Sequence, residues 1–221
     1  MKKIIFIIYI LIILSGKSHS QFQDTIFLEN DNKFLNSIQL SENTNNNINL
    51  SLNIYKEYFY FLNNKTSLDI EYNDVTYYYV KKYLSYKWLP KIIGLSAYYF
   101  PLFESKLAQY NLPPELKYLA IVESNLNPRA ISSAGAKGIW QFMPATGKQY
   151  GLYQDKYVDL FYDPVASTDA AARYLKYLHD KFGDWNLAIS AYNAGPARIE
   201  NLIKKHKTKN YWKLRPYMPK E

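Results

Sequence analysis

The chain has 221 residues, of which 48% are hydrophobic, and it contains no cysteine. This length is sufficient for one sizeable core, while the lack of cysteine excludes disulfides, thiol catalysis and thiolate metal sites. The formal net charge is +8, which favours an anionic partner.

The first 20 residues have the pattern of an export signal. Lys2 and Lys3 precede an apolar run over residues 4–14, and Ser18-His19-Ser20 offers small residues before a cut at Gln21. The run is short for a membrane span, although an uncleaved anchor remains an alternative. Loss of the three lysines in this segment would lower the charge from +8 to about +5. We therefore expect a protein of the periplasm or cell envelope that does not bind nucleic acid and that has, at most, a peripheral membrane association.

The rest of the chain divides into three predicted regions. Residues 21–66 are rich in Asn and Ser and predict a low-complexity leader or tether, with one weak helix near residues 52–62. Residues 67–110 predict an N-terminal helical extension with helices over residues 75–86 and 91–110, the second with a possible kink at Pro101. Residues 111–221 predict a second helical region, which opens with a helix from Pro113-Pro114 to Ser124.

The second half of that region also has helical signals. Asp163-Pro164 starts a long helix that Gly183 ends, and Asp184 caps the next helix, whose apolar face includes Tyr192. Gly195-Pro196 interrupts this helix and starts another over residues 197–205. Strictly alternating strand patterns are scarce, so we predict an all-α fold.

Glu123 is a carboxylate in an unusual place. Leu116, Leu119 and Ala120 recur at helical spacing, and Glu123 occupies the next position of this apolar stripe. Burial would raise its pKa, as a general acid working near neutral pH requires. On this segment alone, a structural Glu that forms a salt bridge or caps the next helix remains the alternative.

Other chemistries find little support in the sequence. His19 lies in the signal, and His179 and His206 lack the spacing of zinc ligands. No Gly-x-Ser-x-Gly motif is present, and Gly135 and Gly138 lack the spacing of phosphate or dinucleotide loops. We therefore expect neither a metal nor a cofactor.

Three segments together resemble a known family. They are Glu123-Ser124, the sequence GIWQFMP at residues 138–144 and the sequence AYNAGP at residues 191–196. In this order and spacing they are similar to bacterial lytic transglycosylases of the soluble-transglycosylase type, and the flanks at residues 99–104 and 112–120 resemble the membrane-bound D type. The resemblance covers about residues 70–221. It implies that residues 111–221 form a monomeric, lysozyme-like catalytic domain. Its partner would be the glycan strand of peptidoglycan, in which it would cleave the MurNAc–GlcNAc β-1,4 bond without adding water.

The resemblance also implies roles for two ionisable residues. Glu123 would protonate the glycosidic oxygen and then take the proton of the MurNAc C6 hydroxyl, which closes a 1,6-anhydro ring. Tyr192 would hold the Glu123 carboxyl by a hydrogen bond, although core packing is an equally acceptable role for it.

The other expected site residues support the substrate. Gln141 would bind a sugar amide or hydroxyl, and Asn193 would line the same cleft. Trp140 and Met143 are expected to lie partly in the core and partly along the sugar rings. Ser124 either bonds near Glu123 or the sugar, or is an ordinary residue at a helix C-terminus.

One departure from the family concerns the end of the sequence. In the family, the run that resembles residues 210–221 continues into a fourth motif with a Tyr that reaches the active site, so we expect a domain truncated at its C-terminal end. Two alternatives therefore stay open, a lysozyme-like hydrolase that uses water and a non-catalytic peptidoglycan-binding remnant.

Overall fold

The structure is a computed structural model that describes residues 71–84 and 86–219, together with seven isolated earlier residues: Lys56, Phe59, Tyr60, Asn63, Asn64, Thr66 and Leu68. The predicted export signal, most of the predicted leader and most of the weak helix at residues 52–62 lie outside the described residues. The predicted domain boundaries therefore stay predictions.

The described residues form helices joined by short turns, and no strand occurs among them, as the all-α prediction states. The α-helices are α1 (Asp74–Leu84), α2 (Leu89–Gln109), α3 (Leu119–Ser124), α4 (Pro144–Gln149), α5 (Pro164–Phe182), α6 (Trp185–Ala194), α7 (Pro196–His206) and α8 (Tyr211–Leu214). Short 3₁₀ turns cover Pro114–Tyr118, Leu160–Tyr162 and Arg215–Tyr217. Within the described part of the chain, no helix combines the length and apolarity needed to cross a bilayer.

The helix predicted over residues 113–124 is two elements in the structure. The 3₁₀ turn Pro114–Tyr118 comes first, with a bond from Leu116 N to Pro113 O of 3.2 Å, and α3 follows it. Two consecutive prolines contribute no N–H group, and Pro113 has extended backbone at φ −56° and ψ 130°. The result is a short α3 of 6 residues with Glu123 next to its end.

The longest element of the second half begins and ends as the sequence predicts. The carboxylate of Asp163 accepts bonds from Val165 N at 2.7 Å and Ala166 N at 2.8 Å, and Pro164 occupies the first turn of α5. Gly183 ends the helix at φ 71°, a left-handed conformation that costs glycine little. Asp184 caps α6 in the same way, through Leu187 N at 2.7 Å.

The core lies where α5 packs against α6 and α2, while α7 covers the other side of α6. Trp140 and Phe103 are fully buried at its centre, with ring centroids 5.0 Å apart. Phe59, from the predicted leader, is also buried and packs edge-on against Tyr72 at 5.3 Å. One contiguous core therefore connects the N-terminal helices to the rest of the described chain.

Gly138 allows the loop between α3 and α4 to pass close to the 3₁₀ turn at residues 160–162. Its φ is 79°, and a Cβ atom at this position would lie 1.9 Å from the carbonyl oxygen of Phe161. No other residue type fits this approach without a backbone shift. The glycine thereby fixes the loop that carries the aromatic segment at residues 139–144.

Candidate active site

Glu123 lies in the last turn of α3, where the chain changes direction. The helix ends at Asn125 in the left-handed region (φ 54°), and Leu126 follows with φ 60°. Asn125 N donates to Ile121 O at 2.8 Å, which closes the final turn. This short, well-anchored helix end directs Glu123 into a cleft.

The cleft has a volume of about 680 Å³ and is formed by the α3 end, the loop before α4, the start of α4, the middle of α5 and the end of α6. It brings together five of the seven predicted site residues. These are Glu123, Gln141, Met143, Tyr192 and Asn193.

The Glu123 carboxyl has an environment that favours its protonated form. Its side chain is half-buried, with Oε1 enclosed and without a hydrogen-bond partner among the described residues. Burial raises the pKa of Glu123 from 4.5 to about 8. At neutral pH this carboxyl therefore carries a proton, and it faces an open cleft where it can donate that proton.

Tyr192 stands beside Glu123, but its hydroxyl donates elsewhere. The phenol donates to the carbonyl oxygen of Trp140 at 2.9 Å. The phenol proton is thereby used, so a bond between the two side chains would have to be donated by the protonated Glu123 carboxyl, and the predicted hydrogen bond stays a prediction. Burial, and then the charge of Glu123, raise the pKa of Tyr192 well above its ordinary value, so the phenol stays neutral. The second sequence interpretation, core packing, agrees with its ring contact to Tyr174 at 5.2 Å.

Gln141 is held by its own loop in an orientation suited to binding. It has positive φ (49°), and its Nε2 donates to Gly138 O at 2.9 Å and to Ala130 O at 3.2 Å. Since both amide hydrogens are directed at backbone carbonyls, Oε1 is the amide atom left to accept a bond from a ligand in the cleft.

Comparison with known proteins gives the family. Residues 101–215 match the family described as "Transglycosylase SLT domain". The chain belongs to the SLT transglycosylase family. The family prediction made from the three segments is thereby confirmed.

Individual relatives of this SLT domain agree with that assignment. The chain is 36% identical over 172 residues to "Membrane-bound lytic murein transglycosylase D" of Escherichia coli (strain K12), which covers 72% of this chain and 38% of the relative. It is 42% identical over 89 residues to "Transglycosylase" of Enterobacteria phage PRD1, covering 40% of the chain and 31% of the relative. It is 34% identical over 90 residues to "Soluble lytic murein transglycosylase" of E. coli (strain K12), covering 38% of the chain and 14% of the relative. The chain thus spans well under half the length of these relatives.

Two predicted site residues do not line the cleft of this SLT domain. The ring of Trp140 is 0% exposed, and its Nε1 donates to Thr168 Oγ1 at 2.9 Å, so it is a core residue rather than a sugar contact. Ser124 Oγ donates to Ile139 O at 2.8 Å and to Ala120 O at 3.1 Å. Ser124 therefore ties α3 to the aromatic loop, and its predicted contact near Glu123 or the sugar stays a prediction.

Several small residues of the cleft were not predicted from the sequence as site residues. They lie mainly in the turn before Gly138 and at the start of α4: Ser132, Ser133, Ala134, Ala136 and Thr146. Tyr174 also lines the cleft, and burial raises its pKa to about 12. Tyr174 lies in the middle of α5, and only the fold shows that this part of the helix reaches the cleft. The serine- and alanine-rich composition of the turn was the available signal, since small side chains leave room for a bulky ligand.

The described residues hold no group of His, Asp and Glu side chains arranged to bind a metal ion. Lys137 lies next to the cleft but is engaged by Asp159 Oδ2 at 3.1 Å and Gln154 Oε1 at 2.8 Å. Its ammonium group therefore supports the loop instead of facing a ligand.

Proposed function

We propose that this protein is a peptidoglycan lytic transglycosylase that cleaves the MurNAc–GlcNAc β-1,4 bond and leaves 1,6-anhydro-MurNAc ends. The observation that carries the proposal is the carboxyl of Glu123, which lines the cleft with Oε1 enclosed and without a hydrogen-bond partner among the described residues; burial there raises its pKa to about 8. Its relatives bear the names of murein transglycosylases, which supports the substrate class.

The number of carboxylates in the cleft supports the non-hydrolytic reaction. Among the described residues that line it, Glu123 is the acidic one, and no Asp or second Glu accompanies it. Hydrolysing glycosidases of the common types use two carboxylates, one as acid and one as base or nucleophile. A reaction in which the substrate supplies its own attacking hydroxyl needs one carboxyl only.

The proposed reaction then runs through Glu123 twice. Its proton passes to the glycosidic oxygen as the C1–O bond breaks, which releases the GlcNAc hydroxyl and leaves Glu123 ionised. The C6 hydroxyl of MurNAc attacks C1, and its proton returns to the Glu123 carboxylate. No water is consumed, and the internal hydroxyl gains the advantage of proximity. An enclosed carboxyl with a pKa of about 8 is a weak enough acid to recover that proton.

In this proposal the surrounding residues shape the cleft and hold the glycan in place. Tyr192, fixed to the Trp140 carbonyl, forms a neutral wall beside the carboxyl. Gln141 offers Oε1 to a sugar N–H or O–H group, while Asn193 and Met143 contact the glycan from the α6 and α4 sides of the cleft. We further propose that the protein acts as a monomer in the cell envelope, where its substrate is found.

The test is mass spectrometry of the fragments released from purified peptidoglycan. We expect 1,6-anhydro-MurNAc ends, which are lighter by one water than reducing ends, and no products from the Glu123→Gln variant. Reducing ends would instead indicate a lysozyme-like hydrolase. A folded protein that releases nothing would indicate a peptidoglycan-binding remnant.

A further inference from the structure

A second groove, of about 520 Å³, lies on the other side of the chain segment that follows Glu123. One wall is a face of α2 and the residue before it: Trp88, Lys91, Leu95 and Tyr99. These positions repeat every three or four residues, so they share one helix face over about 16 Å. The wall is therefore long enough to contact more than one sugar ring.

Trp88 gives this groove an aromatic platform. It is 40% exposed, whereas Trp140 is 0% exposed. Its ring is supported from one side by Tyr86, with centroids 4.7 Å apart and planes 32° apart. A large, partly exposed aromatic ring that is backed by another ring suits the C–H face of a pyranose.

Polar groups suited to a glycan lie on the opposite wall and beside the platform. Asn125 and Asn127 are exposed and line the groove; Asn127 Oδ1 accepts from Arg129 N at 3.0 Å, which leaves its amide N–H groups available. The Lys91 side chain is exposed and forms no ion pair with any residue that the structure describes. Amides match acetamido and hydroxyl groups, and an ammonium group matches a carboxylate.

We propose that this groove binds a second stretch of N-acetylated, carboxylate-bearing glycan, away from the bond that is cleaved; the inference rests on the proposed function. The groove and the cleft are neighbours along the chain, because Glu123 lines the cleft and Ser124 and Asn125 line the groove. A polymeric substrate therefore has two contact regions on either side of the α3 end. The α2 wall, over residues 88–99, lies before residues 101–215, which match the family model.

The test measures retention on insoluble peptidoglycan sacculi. All the proteins compared carry Glu123→Gln, so that we expect them to bind the glycan without cleaving it. Adding Trp88→Ala should weaken retention about fivefold, the value of one aromatic contact. Trp88→Tyr should restore most of it. The matched control is Tyr157→Ala, because Tyr157 is 85% exposed and lines neither the cleft nor the groove. Circular dichroism establishes that each variant is folded.

A second readout separates this proposal from the proposed function. In proteins with intact Glu123, Trp88→Ala should lower the ratio of turnover on sacculi to turnover on a soluble MurNAc–GlcNAc tetrasaccharide about fivefold. Tyr157→Ala should leave that ratio unchanged. Equal retention and equal ratios for Trp88→Ala and Tyr157→Ala would refute the proposal that the groove binds glycan. Absence of turnover by the parent protein would refute the proposed enzymatic function, and the retention result would still test the groove.

Discussion

The buried carboxyl of Glu123 should make the protein less stable as the pH rises, and Glu123→Gln should remove that dependence. Burial raises the pKa from 4.5 to about 8, so between these values the folded protein holds a proton that the unfolded chain has released. The free energy of unfolding then falls with rising pH, because its slope follows the number of protons bound in the unfolded state minus the number in the folded state.

The size of this effect follows from the pKa values. At 1.36 kcal/mol per pKa unit, a rise from 4.5 to about 8 corresponds to about 5 kcal/mol. This is an upper limit, because one side of the Glu123 side chain faces the open cleft. As the pH rises, the free energy of unfolding of Glu123→Gln should therefore increase relative to that of the parent by at most about 1.4 kcal/mol per pH unit. This increase should level off above pH 8.

The assay is urea unfolding, followed by circular dichroism, at pH 5 to 9. The control is Glu200→Gln, since Glu200 is a partly exposed Glu whose pKa is lowered by its bond to Lys181. Because the pKa of Glu200 is lower in the folded protein than in the unfolded chain, its contribution to stability is fully present above the unfolded pKa of about 4.5. The free energy of unfolding of the control should therefore change with pH in the same way as that of the parent. Parallel curves for Glu123→Gln and the parent would refute the raised pKa and, with it, the assignment of Glu123 as a neutral-pH acid.

Three further predictions concern the cleft. With Glu123 as the acid, kcat/KM should fall about tenfold per pH unit above the pKa of about 8, and a rate that still rises there in a pH series would contradict this role. Tyr192→Phe should leave the carbonyl of Trp140 unpaired, which costs about 1–2 kcal/mol and lowers turnover; unchanged turnover in the muropeptide assay would leave Tyr192 as a core residue only. Gly138→Ala should destabilise the protein by more than about 3 kcal/mol in thermal unfolding, because its Cβ would lie 1.9 Å from a carbonyl oxygen. Gly135→Ala is its control at about 1 kcal/mol, since Gly135 has a similar φ of 85° but no atom within 4 Å of the added Cβ.

Local signals predicted the elements whose ends depend on a few adjacent residues. Asp163-Pro164 and Gly183 gave the limits of α5 because a cap, a helix-starting proline and a left-handed glycine act within one turn. The helix α4, at residues 144–149, was not predicted, because 6 residues are too few to show a periodicity. The stripe that contains Glu123 suggested a single helix, but the backbone of two consecutive prolines favoured a 3₁₀ turn before α3.

A site residue could be predicted from the sequence where it departs from its local pattern. Prediction was poorer where the position of a residue depends on a partner that is distant in sequence. Glu123 was identifiable as a carboxylate on an apolar stripe, and its raised pKa agrees with that reading. The position of Trp140 depends on Thr168, which lies 28 residues away, and the bond from Tyr192 to its carbonyl spans 52 residues. No local rule reports which polar group a phenol will contact, so the bond from Tyr192 to the Trp140 carbonyl was not predicted.

The position of Trp140 has a consequence for inhibitors of this site. Its ring fills the core while its carbonyl holds Tyr192, so a compound cannot displace that phenol without disturbing the interior. A ligand designed against the Tyr192 side should therefore be rigid and matched to one shape. The opposite side, with the small side chains of Ser132 and Ser133 and the exposed thioether of Met143, is the side on which compounds can differ in size.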